Sequence, residues 1–413
     1  MNCLEKKLEE LIFFLIPIPI FLSPTSPYLL ASGDVWSESL SLPIIFFLTP
    51  ILLIFNIIRP VKLRGESVVL IAPLFVFFIW TIVLILYSAS HGFESMLYGF
   101  QWNLLFFWIL YFFMKFGWGD IRRLSRLFFA GACVGSFYIF LSGLLEIVIF
   151  GSLLDDGRMT QNLIGKGQYQ LLVYVPTLMA LSALLVLAFY KTKLLDVSLL
   201  IICLYMVVTF SAIVFTGARE GLLVFLVGVS IHLFTLSRKF KVVIFFAFMA
   251  ILTLFIAAGP ALLEFAESLN LKIVEKIITL SDDKLGGRGE VFAVYSAYML
   301  ENSMTGFGLL PPENVYTDDG HSIKSSAHNY YVDSFVWTGA PGFFLIVIFT
   351  IVVLLLCFKR ILVLKSADIR FQAAWIVLMV MLISNNINVP LRQPIIVPIF
   401  CLLVWLMFVR RTA

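Results

Sequence analysis

The sequence predicts an all-α integral membrane protein with about twelve transmembrane helices and one large loop outside the cytoplasm. Of its 413 residues, 61% are hydrophobic and 13% are charged, and the mean hydropathy is +1.02. Soluble domains carry about 25% charged residues. Apolar windows of about 20 residues, long enough to cross a bilayer core of about 30 Å, recur along the whole chain. The composition therefore excludes a soluble globular protein.

Twelve apolar windows predict the individual helices. They cover residues 11–31, 40–58, 67–87, 97–114, 127–150, 168–190, 195–214, 220–236, 242–260, 335–357, 371–389 and 394–409. The first window could be mistaken for a secretory signal, but its flank, residues 5–10, is net negative, which argues against cleavage. The prolines inside this window predict a kinked helix that is retained.

The distribution of basic residues orients these helices, because Lys and Arg collect on the cytoplasmic side of membrane proteins. With the N-terminus inside, the inner segments hold 20 of the 29 Lys and Arg residues. The connections 32–39 and 88–96, on the other side, contain none. This bias agrees with twelve spans, predicts that both termini are cytoplasmic, and places the long polar connection outside the cytoplasm.

Residues 261–334 form that long connection, and connections beyond about 12–15 residues are usually functional or disordered. Apolar residues at helical spacing through 261–280 predict an amphipathic helix in the membrane interface. A second helix is predicted over 290–301. The chain therefore divides into nine spans (1–260), an external loop expected to do the chemistry, and three further spans (335–413).

Arg219 stands between two predicted spans that only a few residues separate. An arginine in a membrane costs about 2.5–3.5 kcal/mol at a helix centre and less near the interface. Arg219 also runs against the bias of basic residues toward the inner side. A topological or snorkelling arginine is the simpler interpretation, but ionisable groups inside membranes are usually functional. We therefore expect Arg219 to bind an anion.

Two other external arginines are weaker candidates for the same anion site. Arg288 lies in a Gly-Gly-Arg-Gly-Glu segment. Glycines there let the backbone approach a bulky anion, and a guanidinium binds phosphate oxygens bidentately. A surface ion pair with Glu290 is the alternative for this arginine. Arg392, between two prolines of the last external turn, is more typical of a structural residue.

His328 is the strongest candidate for a general base. With an ordinary pKa of about 6.5, a histidine can accept a proton from a hydroxyl group at neutral pH. Asn329 beside it could orient a hydroxyl or the imidazole ring, and Tyr330 follows directly before a span. The alternative is an interfacial histidine that is hydrogen-bonded to water.

The sequence contains no pattern typical of a metal or nucleotide site. The adjacent aspartates at 282–283 and 318–319 would point opposite ways in an extended chain, and no His-Glu-x-x-His or Cys/His cluster occurs. The five cysteines lie in or beside apolar spans, so no disulfide framework is expected. We predict no cofactor and no metal, and the net charge of +4 gives no indication of nucleic-acid binding.

Five short motifs occur in a characteristic order: Thr216-Gly-Ala-Arg219-Glu-Gly221, Arg288, Gly306-Phe-Gly308, His328-Asn329-Tyr330 and Thr338-Gly339-Ala-Pro-Gly342. This order resembles the O-antigen ligase and O-antigen polymerase superfamily of bacterial inner membranes, over about residues 205–355. Ala218 stands where the family often has Ser, which removes a hydroxyl but not the arginine. The first half resembles the family only in being multi-spanning.

The resemblance implies a GT-C-like membrane glycosyltransferase that transfers a glycan from an undecaprenyl diphosphate carrier at the periplasmic face, without metal or nucleotide. The catalytic residues would be Arg219, Arg288 and His328, with inversion at the anomeric carbon. The residues expected to contact substrate are Asn329, Arg392, Tyr330, Glu290, Gly306 and Gly308. The expected partners are the carrier-linked donor and acceptor, membrane lipids and a chain-length regulator protein.

Polymerase and ligase activities differ only in the acceptor, and the rather short polar loop favours a polymerase. A ligase that transfers the glycan to lipid A-core is the first alternative, and a protein O-glycosyltransferase is a more distant one. A lipid-linked sugar flippase is the rival from another class. Transporters often show repeated halves and a site at the midplane. Here no repeat is visible, and the polar features gather on one face of the second half.

Overall fold

The structure is a computed structural model of the chain. It describes residues 3–18, 65–88, 92–115, 121–150, 161–162, 165–166, 169–234, 295, 303–309, 329–385, 391 and 396–409. The chain forms two compact units, which are described separately. The first unit contains residues 1–44, 119–283 and 366–372, and the second contains residues 45–118, 284–365 and 373–413.

The described residues form ten helices and one short antiparallel ladder. In chain order these are α1 (Cys3–Leu15), α2 (Gly65–Tyr87), α3 (Gly92–Lys115), α4 (Ile121–Phe150), β1 (Gln161–Asn162), β2 (Gly165–Lys166), α5 (Tyr169–Lys191), α6 (Leu199–Thr216), α7 (Arg219–Phe234), α8 (Tyr330–Val363), α9 (Ile369–Met379) and α10 (Val397–Leu406). A π-helical turn, Val380–Ser384, continues α9. In the ladder, Gln161 pairs with Lys166.

Five of the described helices are long and apolar enough to cross a membrane: α2, α4, α5 over Tyr174–Lys191, α6 and α8. Shorter apolar helices are Glu220–His232, Ile369–Ser384 and Val397–Leu406. Helices suit such sequences, because every backbone polar group in a bilayer must be hydrogen-bonded within the protein.

The all-α, multi-spanning prediction is confirmed for the described part of the chain, apart from β1 and β2. Nine of the twelve predicted spans coincide with described helices. Spans 40–58 and 242–260 lie outside the described residues, so the total of twelve stays a prediction. Of the span predicted over 11–31, residues 11–18 are described, and α1 ends there at Leu15, just before Pro17; residues 19–31 lie outside the described residues.

Helix α8 also differs from its prediction, since it begins at Tyr330 rather than at residue 335. Within the predicted external loop, the structure describes Tyr295, residues 303–309 and the segment from Asn329 onward. The amphipathic helix expected over 261–280 lies outside the described residues. Of the second expected helix, the described residue is Tyr295, which is helical and buried.

In the first unit, α4 is the common partner of its neighbours. Gly131 lies directly against the backbone of Phe14, so α1 packs closely on it. The Ser125 hydroxyl donates to the carbonyl of Leu194 at 2.9 Å. Toward the other end, the Phe140 and Phe215 rings stack with centroids 5.8 Å apart. Helices α4 and α6 therefore run side by side in the same direction.

In the second unit, α2 packs against both α3 and α8. Asn103 on α3 donates to the Thr81 hydroxyl at 2.6 Å, which joins α2 and α3 through buried polar groups. Glu66 at the start of α2 accepts from Lys359 and Arg360 near the end of α8, each at 2.8 Å. The predicted topology assigns these two ends to the same side of the membrane, and this contact requires the same.

Candidate active site

The connection between α6 and α7 carries Arg219, the first residue of the predicted anion site. Helix α6 ends at Thr216, whose hydroxyl donates to the carbonyl of Ile213 at 2.6 Å. Gly217 follows in the left-handed conformation (φ 67°, ψ 10°), and its N–H donates to the carbonyl of Val214 at 3.0 Å. This cap reverses the chain within two residues, so α7 begins at Arg219 itself.

The backbone of Arg219 therefore stands at a helix N-terminus, and the backbone is the described part of this residue. Helix N-termini favour negative charge, because their free N–H groups and the helix dipole present a partial positive charge. Glu220 in the first turn is 6% exposed. The next residue, Gly221, is tight against Pro176 of α5, since an added Cβ would lie 2.6 Å from its carbonyl carbon. This contact fixes where α7 starts.

In the second unit, residues 303–309 form a compact turn that packs against the first part of α8. Gly306 and Gly308 have φ of 58° and 64°, in the left-handed region that glycine adopts without strain. Leu309 follows with φ of 70° and is fully buried. A Cβ on Gly306 would collide with the carbonyl of Val336 and lie 2.8 Å from the nitrogen of Gly339. Gly306, one of the two glycines expected to contact substrate, thus lets this turn approach α8, while Gly308 lies against the side chain of Ser88.

Three backbone hydrogen bonds hold the turn on α8. The N–H of Phe307 donates to the carbonyl of Val336 at 2.8 Å, and that of Leu309 donates to Trp337 at 3.0 Å. In the opposite direction, the N–H of Ala340 donates to the carbonyl of Ser303 at 2.8 Å. The turn is therefore bonded to α8 at both of its ends.

These bonds are possible because α8 is broken at Gly339, which has φ 67° and ψ −177°. In a continuous helix the carbonyl of Trp337 would accept from residue 341, but Pro341 has no N–H and its ring would crowd that carbonyl. The break releases the carbonyls of Val336 and Trp337, and the turn supplies the missing donors. A glycine and a proline two residues apart therefore create the binding surface for residues 303–309.

The start of α8 is fixed by Asn329, which sequence analysis assigned to substrate. Its side-chain oxygen accepts from the N–H of Tyr331 at 3.0 Å and from that of Val332 at 3.2 Å, as in a helix N-cap. Tyr330 is 1% exposed and stacks on Trp102 with ring centroids 5.7 Å apart. Both residues have structural contacts here, and their substrate roles stay predictions.

Four of the predicted site residues lie outside the described residues: Arg288, Glu290, His328 and Arg392. Of the others, Gly306, Gly308, Asn329 and Tyr330 belong to the second unit, where Gly306 packs against α8 and Gly308 against Ser88. Arg219 belongs to the first unit. Within the described part of the chain, no three His, Cys, Asp or Glu side chains are grouped as a metal site.

Comparison with known families bears directly on this region. Residues 201–347 match the family model described as O-Antigen ligase. The resemblance to the O-antigen polymerase and ligase superfamily is thereby confirmed. The match begins in α6 and ends in α8, so it includes the Arg219 helix start, the 303–309 turn, the Asn329 cap and the break at Gly339. A search of curated proteins finds no match.

The O-antigen ligase match supports a membrane glycosyltransferase of the polymerase or ligase type. Two contacts that sequence analysis missed come from outside the matched residues, from α2 and from Ser88 directly after it. The indole N–H of Trp80 donates to the carbonyl of Thr338 at 2.8 Å, and the Ser88 hydroxyl donates to the carbonyl of Gly308 at 2.9 Å. The available signal was a tryptophan in an apolar span, since its N–H needs an acceptor there.

Proposed function

We propose that this protein is an O-antigen polymerase, which joins undecaprenyl-diphosphate-linked repeat units at the periplasmic face of the bacterial inner membrane. The match of residues 201–347 to the O-antigen ligase family carries this proposal. It is supported by the described turn and helix break, which are built from the glycines and the proline of the matched motifs. The proposed reaction uses neither a metal nor a nucleotide.

The donor is the growing glycan, linked through its anomeric carbon to undecaprenyl diphosphate. A hydroxyl oxygen of the carrier-linked acceptor unit attacks that carbon and forms the new glycosidic bond. The bond from the anomeric carbon to the diphosphate oxygen breaks, and undecaprenyl diphosphate leaves with the electron pair. A single displacement of this kind inverts the anomeric configuration. His328 accepts the proton of the attacking hydroxyl.

Two arginines stabilise the diphosphate as negative charge develops on it. Arg219 acts from the N-terminus of α7, where the helix dipole adds to its charge. Arg288 is the second cation. Donors fixed where charge develops in the transition state are worth about 10²–10³ in kcat each. A positioned general base contributes about 10²–10⁴. Lipid-borne reactants held in one interface gain further from orientation.

A ligase would use the same chemistry with lipid A-core as the acceptor. We favour the polymerase because the polar loop, residues 261–334, leaves limited room to hold a large acceptor. The surface polysaccharide of a strain lacking this protein separates the two activities. Lipid A-core capped with a single repeat unit would identify a polymerase. Uncapped core, with long chains left on the carrier, would identify a ligase and refute the polymerase assignment.

The roles of the charged residues are tested by substitution in purified protein. We expect Arg219→Ala, Arg288→Ala and His328→Ala each to lower transfer at least about 100-fold while membrane insertion is unchanged. Arg219→Lys should restore only part of the activity, because an ammonium cannot bind a diphosphate bidentately. The control is Arg126→Ala, an exposed arginine on α4, which should transfer at the wild-type rate. Normal chain growth in both arginine variants would disprove these roles.

A further inference from the structure

The break at Gly339 leaves the carbonyls of Val336 and Trp337 without their helical donors, because the N–H of Ala340 donates to Ser303 and Pro341 has no N–H, and the 303–309 turn supplies both donors. Val336 and Trp337 accept from Phe307 and Leu309. The carbonyl of the next residue, Thr338, also lies beside the break, and Thr338 is fully buried. A buried carbonyl in an apolar environment has no water to bond and is costly if left without a donor. The Thr338 carbonyl accepts from the indole N–H of Trp80, 258 residues earlier in the chain, at 2.8 Å.

Helix α2 holds the turn at a second point. Ser88 directly follows α2, is 7% exposed, and donates to the carbonyl of Gly308 within the turn. An added Cβ on Gly308 would collide with this hydroxyl, so the two residues are in close contact. Trp80 and Ser88 are eight residues apart, which is about 12 Å along a helix. One helix therefore contacts both the broken part of α8 and the turn bonded to it.

We propose that Trp80 and Ser88 are positioning residues of the glycan transfer reaction. They hold the first part of α8, from its Asn329 cap to Thr338, in register with the 303–309 turn. His328 precedes that cap by one peptide bond, and Arg288 precedes the turn in sequence. The proposal rests on the proposed function, and it assigns a role in the reaction to a helix for which the sequence predicted only that it spans the membrane.

The test is Trp80→Phe, which keeps an aromatic ring but removes the N–H donor together with the five-membered part of the indole; Trp108→Phe loses the same volume and so controls for it. The matched control is Trp108→Phe. Trp108 lies in α3 of the same unit, is 2% exposed, and its indole N–H has no acceptor among the described residues. If the donor matters, Trp80→Phe should lower kcat about 10- to 100-fold with little change in KM, because misplacement of reacting groups by about 1 Å has an effect of that size. Trp108→Phe should keep both constants.

A second measurement does not depend on activity. Amide hydrogen exchange of Phe307 and Leu309 reports directly on the two bonds between the turn and α8. We expect exchange of these amides to be faster in Trp80→Phe and in Ser88→Ala than in Trp108→Phe or the wild type. The double variant should exchange faster than either single variant, since each residue contacts a different carbonyl.

The outcomes separate this inference from the proposed function. Suppose that the wild-type protein does not transfer glycan, but amide exchange of Phe307 and Leu309 is faster in Trp80→Phe. The proposed function is then wrong, and Trp80 holds the turn without a role in this reaction. If wild type transfers and Trp80→Phe matches Trp108→Phe in kcat and exchange, the inference is overturned. A Trp80→Phe variant with a lower melting temperature but unchanged kcat would likewise overturn it, because the contact would then serve stability alone.

Discussion

Replacing Gly339 with alanine tests whether the break in α8 is needed to hold the 303–309 turn. The backbone there has φ 67° and ψ −177°, a conformation essentially confined to glycine. An added Cβ would collide with the carbonyl of Met304 and lie 2.8 Å from the nitrogen of Thr305. Because both contacts are with backbone atoms of the turn, no side-chain rotation relieves them.

Strain of this kind costs about 1–3 kcal/mol, and the protein can release it by detaching the turn. That free energy corresponds to a shift of about 5- to 150-fold toward the detached state. We expect the amides of Phe307 and Leu309, which donate to α8, to exchange faster by about this factor in Gly339→Ala. Glycan transfer should fall in parallel if the turn positions the reacting groups.

The control is Gly65→Ala at the exposed start of α2, where an added Cβ would meet nothing within 4 Å. It should leave both amide exchange and transfer as in the wild type. If Gly339→Ala behaves like Gly65→Ala in the exchange measurement, then the break does not hold the turn and the reasoning is refuted. If amide exchange is faster but glycan transfer is unchanged, then attachment of the turn to α8 is not needed for the reaction.

Two further substitutions test the other parts of the candidate site. Gly221→Ala should strongly reduce the melting temperature, because the new Cβ would meet the backbone of Pro176 at 2.6 Å. Gly228→Ala should reduce it less, since the flexible end of Leu184 can move away. Equal melting temperatures of the two variants would contradict this reasoning. Asn329→Ala should destabilise the start of α8 by about 0.5–2 kcal/mol through loss of its N-cap. Asn329→Asp should retain it, as measured by amide exchange of the first turn, and a wild-type exchange rate in the alanine variant would refute the capping role.

Hydropathy was sufficient to predict most of the described helices, because a span needs only about 20 apolar residues and leaves no other backbone structure possible in lipid. The ends of the helices were predicted less well. Helix α8 begins at Tyr330 because the Asn329 side chain caps it, and the polar residues of that first turn made it look like part of the loop. The short α1 ends at Leu15 because prolines follow it.

The order of glycine motifs indicated the family model that residues 201–347 match, but not the structural role of each glycine. Gly306 and Gly308 were expected to contact substrate, while Gly306 lies against the backbone of α8 and Gly308 lies against the Ser88 hydroxyl. Gly339, which was quoted only as part of a motif, lies against the backbone of Met304 and Thr305. No local pattern could show this, because the turn and the break form one surface only when α8 is folded. The contact of Trp80 with Thr338 was still less predictable, since the two residues are separated by 258 positions.

The residues that match the O-antigen ligase family do not form a self-sufficient structure. The matched residues 201–283 belong to the first unit and 284–347 to the second. In the first unit, the start of α7 is fixed by Pro176 of α5, which lies before the match. In the second unit, the indole N–H of Trp80 in α2, which also lies before the match, donates to the carbonyl of Thr338 beside the break. The matched region specifies the motifs, and helices outside it determine the geometry in which those motifs can act.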